Sequence, residues 1–390
     1  MDQFDIIVIG GGSAGSAVAG RLSEDGKRRV CLLEAGSHND TVRVKTPGFM
    51  PFIPEKSNWR FDTVAQKGLN GRIGYQPRGR GLGGSSAINA MVYIRGNHFD
   101  YDQWAELGCT GWSHADVLPY FKRSEGNERG GNEWHGADGP LNVMDQRWPS
   151  PGSEAFVASA AELQLPENND FNGASQDGFG LYQVTQKAGE RWSAARAYLS
   201  PRPNLAIRTG ALVEKIVIED GRAVGVQARF GGKSEVIRAS GGVVLSAGAF
   251  GSPQVLMLSG IGHRDELARH GIPLVHHSAG VGKGLSDHPQ LFGQWMPTQA
   301  EALEPGSWMG GVLHTTHDDS DIEIIMSRVS LEELVGAEPT GAHSLMVAPI
   351  TPRRTGELTI TSASIDDGSS TAWQYGKCTA HEDPGAAFFA

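Results

Sequence analysis

The feature that most constrains the fold lies at the start of the chain. A short apolar run over residues 5–9 ends abruptly at three consecutive glycines, residues 10–12. Residues 13–22 are rich in alanine and other small residues, and residues 29–34 form a second apolar run. A continuous apolar run that ends in glycine is typical of a buried parallel strand. The order predicts a βαβ unit with a helix between two parallel strands.

The glycines of this unit follow the spacing G-x-G-x-x-G at Gly10, Gly12 and Gly15. Such glycines allow a tight turn, let the backbone approach a pyrophosphate, and permit close contact between helix and strand. Glu34 ends the second run, where a carboxylate can bind ribose hydroxyls and would repel a 2′-phosphate. The pattern therefore predicts dinucleotide binding and disfavours NADP.

Two other interpretations of the same residues stay open. A glycine-rich turn can exist without any ligand. Residues 11–15 also match G-x-S-x-G, the nucleophile elbow of α/β-hydrolases, with Ser13 as the nucleophile. In that fold the elbow follows several earlier strands and requires an acid and a histidine downstream. Here the motif follows the first strand, which disfavours a hydrolase.

Length and charge indicate the number of domains and disfavour nucleic-acid binding. With 390 residues the chain is longer than one compact core usually allows, so we expect two domains. A formal net charge of -10 and the absence of any Lys/Arg-rich run disfavour binding to nucleic acid. Small-molecule chemistry is therefore the expected class of function.

The cysteines and the apolar runs bear on the compartment. Cys31, Cys109 and Cys378 are too few and too scattered for a disulfide framework, and none forms a C-x-x-C pair. No signal-peptide pattern begins the sequence, and no apolar run reaches membrane-spanning length. We expect a soluble cytoplasmic protein without a membrane span.

Two further segments carry a family resemblance. Residues 79–102, which begin with a second glycine cluster, resemble the first signature of the glucose–methanol–choline (GMC) oxidoreductases, and residues 248–262 resemble the second. The resemblance extends from Met1 to about Asp287 and is greatest for the alcohol and choline dehydrogenase branch. It implies an α/β fold: a Rossmann-like domain with a parallel sheet, and a smaller, incomplete substrate domain with an antiparallel sheet.

The resemblance also implies FAD as the cofactor. The FAD is expected to be noncovalent, because Asn89 and Ala90 occupy the part of the loop in which the family can carry a linking histidine. Counterparts of the family's cofactor-binding residues occur at Gly10, Gly12, Ser13, Ala14 and Gly15 for the pyrophosphate; at Glu34, Ala35, Trp59 and Val213 for the adenosine end; at Arg80, Gly83, Gly84, Ser85, Asn89, Ala90, Met91 and Val92 for the pyrophosphate and the flavin ring; and at Ala247 and Gly248, which close over the dinucleotide.

The family architecture predicts a discontinuous organisation. Residues 1–145 and 203–292 form the FAD-binding domain, residues 146–202 and 293–364 form a shortened substrate-binding domain, and residues 365–390 form a divergent tail. Within these ranges the sequence predicts a helix over 153–163 and strands over 212–218, 242–245, 322–325 and 356–361.

The resemblance fails near the C-terminus. In this family a histidine near the C-terminus removes the hydroxyl proton of the substrate, and residues 365–390 show no likeness to that segment. His381 is the only histidine of the divergent tail, but the acids that follow it indicate a solvated loop. We interpret His288 as a hydrogen-bonded structural residue and His276 and His277 as a surface pair. No catalytic residue is therefore assigned, and no histidine cluster has metal-ligand spacing.

Three functions follow from the resemblance. The first is FAD-dependent oxidation of a CH–OH donor, an alcohol or choline-like substrate, with hydride transfer to flavin N5 and electrons passed to a quinone, a dye or oxygen. The second is a truncated, catalytically inactive FAD-binding fragment of such an enzyme. The third is a lyase that keeps FAD only structurally. The sequence determines neither the alcohol, nor the electron acceptor, nor the oligomeric state.

Overall fold

The computed structural model describes residues 3–66, 70–296, 309–317, 320–327, 342–351 and 355–365. Within this part of the chain there are eight α-helices: α1 (Ser13–Ser23), α2 (Val42–Lys45), α3 (His98–Glu106), α4 (His114–Ser124), α5 (Pro151–Glu162), α6 (Ala194–Tyr198), α7 (Gly248–Leu258) and α8 (Arg264–Arg269). Three 3-10 helices cover Pro47–Phe52, Glu55–Ser57 and Gly84–Ala87.

The strands of the same residues are β1 (Gln3–Ile9), β2 (Val30–Glu34), β3 (Phe61–Asp62), β4 (Tyr75–Gln76), β5 (Val92–Tyr93), β6 (Glu125–Asn127), β7 (Leu141–Asp145), β8 (Gly178–Leu181), β9 (Gln183–Val184), β10 (Gln186–Lys187), β11 (Glu190–Arg191), β12 (Leu205–Thr209), β13 (Ala211–Glu219), β14 (Arg222–Phe230), β15 (Lys233–Leu245), β16 (Ile261–Gly262), β17 (His276–His277), β18 (Lys283–Leu285), β19 (Leu291–Trp295), β20 (Met309–His317), β21 (Ser320–Ser327), β22 (His343–Pro349) and β23 (Gly356–Glu357).

A six-stranded sheet forms the centre of the fold, in the order β12-β2-β1-β15-β14-β13. β1 pairs in parallel with both β2 and β15, and β2 pairs in parallel with β12. β13, β14 and β15 form an antiparallel meander at the other side of the sheet. With α1 joining β1 to β2, this arrangement confirms the predicted βαβ unit and the α/β fold class.

The sequence of the parallel strands explains their central place. Ile7, Val8, Val30, Cys31 and Leu32 are all 0% exposed, so both faces of β1 and β2 are covered. Strands covered on both faces need apolar residues at successive positions rather than at alternate ones. The predicted strands over 212–218 and 242–245 lie within β13 and β15.

A second sheet has five antiparallel strands in the order β19-β22-β21-β20-β8. β8 belongs to the excursion over residues 146–202, whereas the other four strands follow residue 290. Helix α5 packs on this sheet so closely that a Cβ at Gly311 would lie 2.8 Å from the ring of Phe156. The pairing joins two segments distant in sequence, and the domain boundaries themselves stay a prediction.

The predicted strand over 356–361 is only partly correct. The strand ends at Glu357, and it pairs with β18 rather than with the five-stranded sheet. Leu358 and Ile360 instead pack in a cluster with Phe250 and Met257 of α7. An alternating apolar pattern indicates one covered face but not which element covers it. The tail over 366–390, including His381, lies outside the described residues.

Candidate functional site

The turn between β1 and α1 is enclosed by backbone atoms. A Cβ at Gly15 would lie 1.8 Å from the carbonyl oxygen of Gly10. Gly10 has a φ of +91°, and a Cβ there would lie 2.5 Å from the carbonyl oxygen of Ser246. The N–H of Ser246 donates to the carbonyl oxygen of Ile9 at 2.8 Å. Only glycine fits at positions 10 and 15, and the segment before α7 therefore lies directly on the first glycine turn.

The second glycine cluster contacts the same turn. The N–H of Gly83 donates to the carbonyl oxygen of Gly11 at 2.8 Å. A Cβ at Gly84 would stand 2.7 Å from the Cα of Gly12. Gly83 and Gly84 have φ values of +89° and +50°, in the left-handed region that favours glycine. The structure thus brings together three glycine-rich segments, with backbone atoms in direct contact at Gly10, Gly12 and Gly84.

The helices that begin at this junction differ from the others at their N-termini. Six of the eight described α-helices have a side-chain cap, from Thr41, Asn97, Ser113, Ser150, Ser193 and His263. The two without one are α1, whose N-cap is Gly12, and α7, whose N-cap is Ala247. The first N–H groups of an uncapped helix are available to a ligand, and the helix dipole favours an anion there. Both uncapped N-termini therefore suit a diphosphate.

Glu34 lies under the junction and joins its loops. Its carboxylate accepts hydrogen bonds from the N–H groups of Gly11, Gly36 and Gly81, each at 2.8 Å. The residue is 6% exposed, so these donors replace water around a buried charge. A carboxylate has about four lone-pair directions, which leaves capacity for a ribose hydroxyl as well. The sequence had indicated the ribose role, but it gave no sign of the three backbone donors.

A row of three aromatic rings with a guanidinium group at each end lies beside the second glycine cluster. The Arg80 guanidinium lies 4.8 Å from the ring centre of Trp59, which stacks on Phe61 with ring centres 5.8 Å apart. Phe61 meets Phe250 edge to face at 5.3 Å, and Arg78 lies 4.8 Å from the Phe250 ring. Arg80 Nε is buried without a hydrogen-bond partner. This ladder fixes Trp59 and Arg80 next to the glycine segments.

The loop after Gly84 ends in a strained residue. Met91 is fully buried and has a φ of +64°, which a non-glycine residue rarely adopts and which costs about 1–3 kcal/mol. Its carbonyl oxygen accepts from the N–H of Thr185 at 2.8 Å, and its own N–H donates to Asn89 Oδ1 at 3.2 Å. Strain of this kind concentrates at functional sites.

The remaining assigned positions differ in their exposure. Ser13, Ala14, Ser85 and Asn89 are exposed to solvent. Ala35, Ala90 and Val92 are half-buried. Val213 is buried, and the pairing of β13 with β14 is irregular between Val213 and Lys215. An irregularity of this kind locally interrupts the ladder of hydrogen bonds between the two strands.

Comparison with known proteins decides the family. A family model described as GMC oxidoreductase matches residues 4–290, which is most of the chain. The chain belongs to the GMC oxidoreductase family.

Individual relatives agree with this assignment. This GMC oxidoreductase is 44% identical over 316 residues to the oxygen-dependent choline dehydrogenase of Rhizobium etli, a match that covers 79% of this chain and 57% of that protein. It is 44% identical over 314 residues to human mitochondrial choline dehydrogenase, covering 77% of this chain and 53% of that protein. The crystal structure of pyridoxine 4-oxidase from Mesorbium loti superposes with a TM-score of 0.88 at 29% identity, covering 97% of this chain and 77% of that one. The chain thus spans little more than half the length of the curated relatives it matches.

Three of the histidines singled out in the sequence of this GMC oxidoreductase lie in the described residues, and all three are exposed. His276 and His277 are exposed, and they form the short strand β17. His288 is also exposed, and its backbone N–H donates to Asp287 Oδ1 at 3.0 Å. The sequence had suggested a hydrogen-bonded structural residue, and the hydrogen bond that the structure shows here is made by the backbone of His288. No metal-binding group of His, Cys, Asp and Glu side chains exists among the described residues.

Two buried polar clusters gave no signal in the sequence. In the first, Glu125 accepts from Arg95 at 2.8 Å and lies 2.9 Å from Nδ1 of His135, whose Nε2 lies 3.0 Å from Asp170. Hydrogen bonds to Asp170 and Glu125 raise the pKa of His135 to about 9. The histidine is therefore a cation held between two carboxylates, which fixes the turn that precedes β7.

The second cluster lies in the five-stranded sheet. The Tyr182 hydroxyl is 3.0 Å from Nε2 of His314 and donates a short hydrogen bond to Glu323. Burial lowers the pKa of His314 to about 4 and raises the pKa of Glu323. His314 is therefore neutral at pH 7. Cross-strand pairing creates this cluster, since the three residues lie on β20, β21 and the residue after β8.

The described residues contain no helix that is both long and apolar enough to cross a lipid bilayer. Neither Cys31, which is buried, nor Cys109, which is exposed, forms a disulfide within this part of the chain.

Proposed function

We propose that this GMC oxidoreductase binds FAD along the junction of its three glycine-rich segments. The observation that carries the proposal is the contact of Gly84 with Gly12, together with that of Gly10 with Ser246. These contacts leave a surface of backbone N–H groups that an extended diphosphate can approach. Uncapped N-termini at α1 and α7 support the same ligand, because both dipoles favour negative charge there.

The residues take roles in the order of the junction. Gly10, Gly12, Ser13, Ala14 and Gly15 hold the pyrophosphate from the α1 side. Glu34, Ala35, Trp59 and the backbone of Val213 receive the adenosine. Arg80, Gly83, Gly84 and Ser85 contact the pyrophosphate, and Asn89, Ala90, Met91 and Val92 border the ring. Ala247 and Gly248 close the site. The attachment is noncovalent, since Asn89 and Ala90 carry no group that would form a bond to the ring.

The proposed reaction is oxidation of a CH–OH donor. Bound FAD would accept a hydride from the carbon that bears the hydroxyl. The choline dehydrogenase relatives favour a small alcohol such as choline, and the name of the Rhizobium etli relative favours oxygen as the electron acceptor. A quinone is the alternative acceptor, and the cytoplasm is the compartment that we propose. General-base removal of the hydroxyl proton is worth about 10²–10⁴ in rate, and none of the assigned residues supplies that base.

Two experiments separate this proposal from its alternatives. The purified chain is incubated with FAD, desalted and examined for flavin absorbance; a protein without retained flavin would reject the proposal. Choline or a primary alcohol is then added without oxygen. Loss of the oxidised flavin spectrum indicates a dehydrogenase or oxidase, and product formed without any spectral change indicates a lyase. If neither the spectrum changes nor product forms, the chain is an inactive FAD-binding fragment.

A hydrolase alternative rests on Ser13. Among the described residues, no hydrogen bond joins the Ser13 hydroxyl to a histidine, although a nucleophilic serine requires such a base. Ser13→Ala would abolish ester cleavage if the elbow interpretation were correct. We instead expect no esterase activity in either the wild-type protein or the Ser13→Ala variant, and we expect the substitution to alter only the affinity for FAD.

A further inference from the structure

Arg191 is the largest of the fully buried side chains, with 1% of its surface exposed. Its Nη1 donates to the carbonyl oxygen of Asn89 at 2.6 Å, to Asn89 Oδ1 at 2.8 Å and to the carbonyl oxygen of Ser86 at 3.4 Å. Its Nε donates to the carbonyl oxygen of Val44 at 3.0 Å. The guanidinium therefore donates hydrogen bonds to two carbonyl groups of the loop that follows Gly84.

All the acceptors of Arg191 are neutral. Within the described part of the chain, no carboxylate forms an ion pair with Arg191, and its Nη2 is buried without a hydrogen-bond partner. The buried Arg95 differs, because Glu125 accepts from it at 2.8 Å. A buried charge without a counter-ion costs several kcal/mol, roughly, and is retained only where something offsets that cost. Burial lowers the pKa of Arg191 only to about 10, so the group stays charged at neutral pH.

The neighbours of Arg191 in sequence hold the same loop. The N–H of Ala194 donates to the Ser86 hydroxyl at 3.0 Å, and that hydroxyl donates to the carbonyl oxygen of Gly83 at 2.6 Å. A Cβ at Gly83 would lie 3.1 Å from the Ser193 hydroxyl. The segment over residues 191–194 thus packs along the loop from Gly83 to Asn89, and the guanidinium lies at the end of the loop that borders the ring in the proposed function.

We propose that Arg191 is a positioning residue for this loop and that its uncompensated charge stabilises negative charge on the bound cofactor. The inference rests on the proposed function, since it takes the anionic ligand to be FAD. Two effects follow. The hydrogen bonds to the Ser86 and Asn89 carbonyls fix the loop for either redox state of FAD. The charge stabilises mainly the reduced state, because reduced FAD carries more negative charge than oxidised FAD. The attraction is strong because water is excluded from around the guanidinium.

The test compares Arg191→Met and Arg191→Lys with the wild-type protein. For each, the dissociation constant of oxidised FAD and the midpoint potential of bound FAD are measured, the latter by reductive titration against a reference dye. We expect FAD to dissociate about tenfold more readily from both variants, because charge-assisted hydrogen bonds to the loop are lost. The preference for reduced over oxidised FAD falls about tenfold in Arg191→Met alone, which is about 30 mV for a two-electron couple.

The lysine variant separates charge from packing. It keeps a cation but loses the forked geometry, so its potential stays near that of the wild-type protein while its FAD affinity falls. Arg208→Met is the matched control, because it removes one positive charge from a surface pair with Glu235 and solvent screens that charge. Its potential and FAD affinity should equal those of the wild type.

Several outcomes overturn the inference. Equal potentials in Arg191→Met and the wild type would reduce Arg191 to a packing role, and an equal fall in both Arg191 variants would exclude its charge as the cause. If Arg191→Met does not fold, Arg191→Gln tests the same point, since it removes the charge but keeps an N–H donor at the end of the side chain. Its potential should fall as in Arg191→Met, and an unchanged potential would again overturn the inference. A wild-type chain that binds no FAD would overturn the proposed function, and this inference with it.

Discussion

Gly84 stands so close to Gly12 that a Cβ on Gly84 would lie 2.7 Å from the Gly12 Cα. A side chain on Gly84 would require one of the two loops to move, whereas a Cβ on Gly12 would lie 3.8 Å from the Gly84 Cα, an ordinary contact distance. The contact ties the second glycine cluster to the N-terminus of α1, and it makes the surface of backbone groups on which the proposed FAD site depends. Substitutions at this junction should therefore affect cofactor binding more than a substitution of the same size elsewhere.

We expect Gly84→Ala to raise the dissociation constant of FAD at least tenfold. The added methyl group pushes the loops apart, and the left-handed φ of +50° is unfavourable for alanine. Overpacking of this kind costs about 1–3 kcal/mol. Quenching of FAD fluorescence during titration gives the constant. Gly293→Ala is the control, since nothing lies within 4 Å of its added Cβ and its φ is not positive. Equal affinities in the two variants would contradict the expectation.

Glu34→Gln should weaken the fold as well as FAD binding. The carboxylate accepts from three buried N–H groups, whereas an amide presents its own N–H₂ to at least one of them. A buried donor left without an acceptor costs about 1–3 kcal/mol. Urea unfolding measures the change, with the exposed Glu235→Gln as the comparison. A Glu34→Gln protein as stable as Glu235→Gln would mean that water satisfies the three N–H groups.

The His135 cluster should make stability fall at alkaline pH. Its folded-state pKa is raised to about 9 by Asp170 and Glu125, so the folded protein holds this proton more tightly than the unfolded chain. The stabilisation is complete below about pH 6.5 and is lost as the pH rises through about 9. One proton gives a slope of at most about 1.4 kcal/mol per pH unit in the free energy of unfolding.

Denaturant unfolding between pH 6 and 10 measures this slope. In His135→Gln the slope over that window should disappear, whereas His276→Gln, which alters an exposed histidine, should keep it. A slope that survives in His135→Gln would assign the pH dependence to other groups.

Tyr182→Phe should destabilise the five-stranded sheet. The substitution removes the hydroxyl that contacts both His314 and Glu323, and it leaves two buried polar groups without that partner. The expected loss is about 1–3 kcal/mol in the free energy of unfolding. Tyr120→Phe is the matched control, because Tyr120 is 69% exposed. If both variants unfold at the same denaturant concentration, the cluster contributes nothing to stability.

The βαβ unit at the start of the chain was predictable from local patterns. β1, α1 and β2 follow from an apolar run, small residues and a second apolar run, because these periodicities report burial within each element. The glycines at positions 10 and 15 were predictable for a similar reason, since a close backbone approach leaves no room for a side chain at either position. The strand over 356–361 was less predictable, because its apolar residues pack on α7 rather than on a sheet.

By itself the sequence determined the α/β class, the βαβ unit, the family resemblance and the positions of the glycine segments. Only the tertiary structure decided which backbone atoms those segments share, that Glu34 accepts from three separate loops, and that Arg191 and the His135 cluster are buried where they are. The physical reason is the separation in sequence between the residues that interact. Periodicity and glycine spacing express interactions between neighbours in the chain, whereas buried polar partners come from segments far apart in sequence, and no local pattern marks them before the chain has folded.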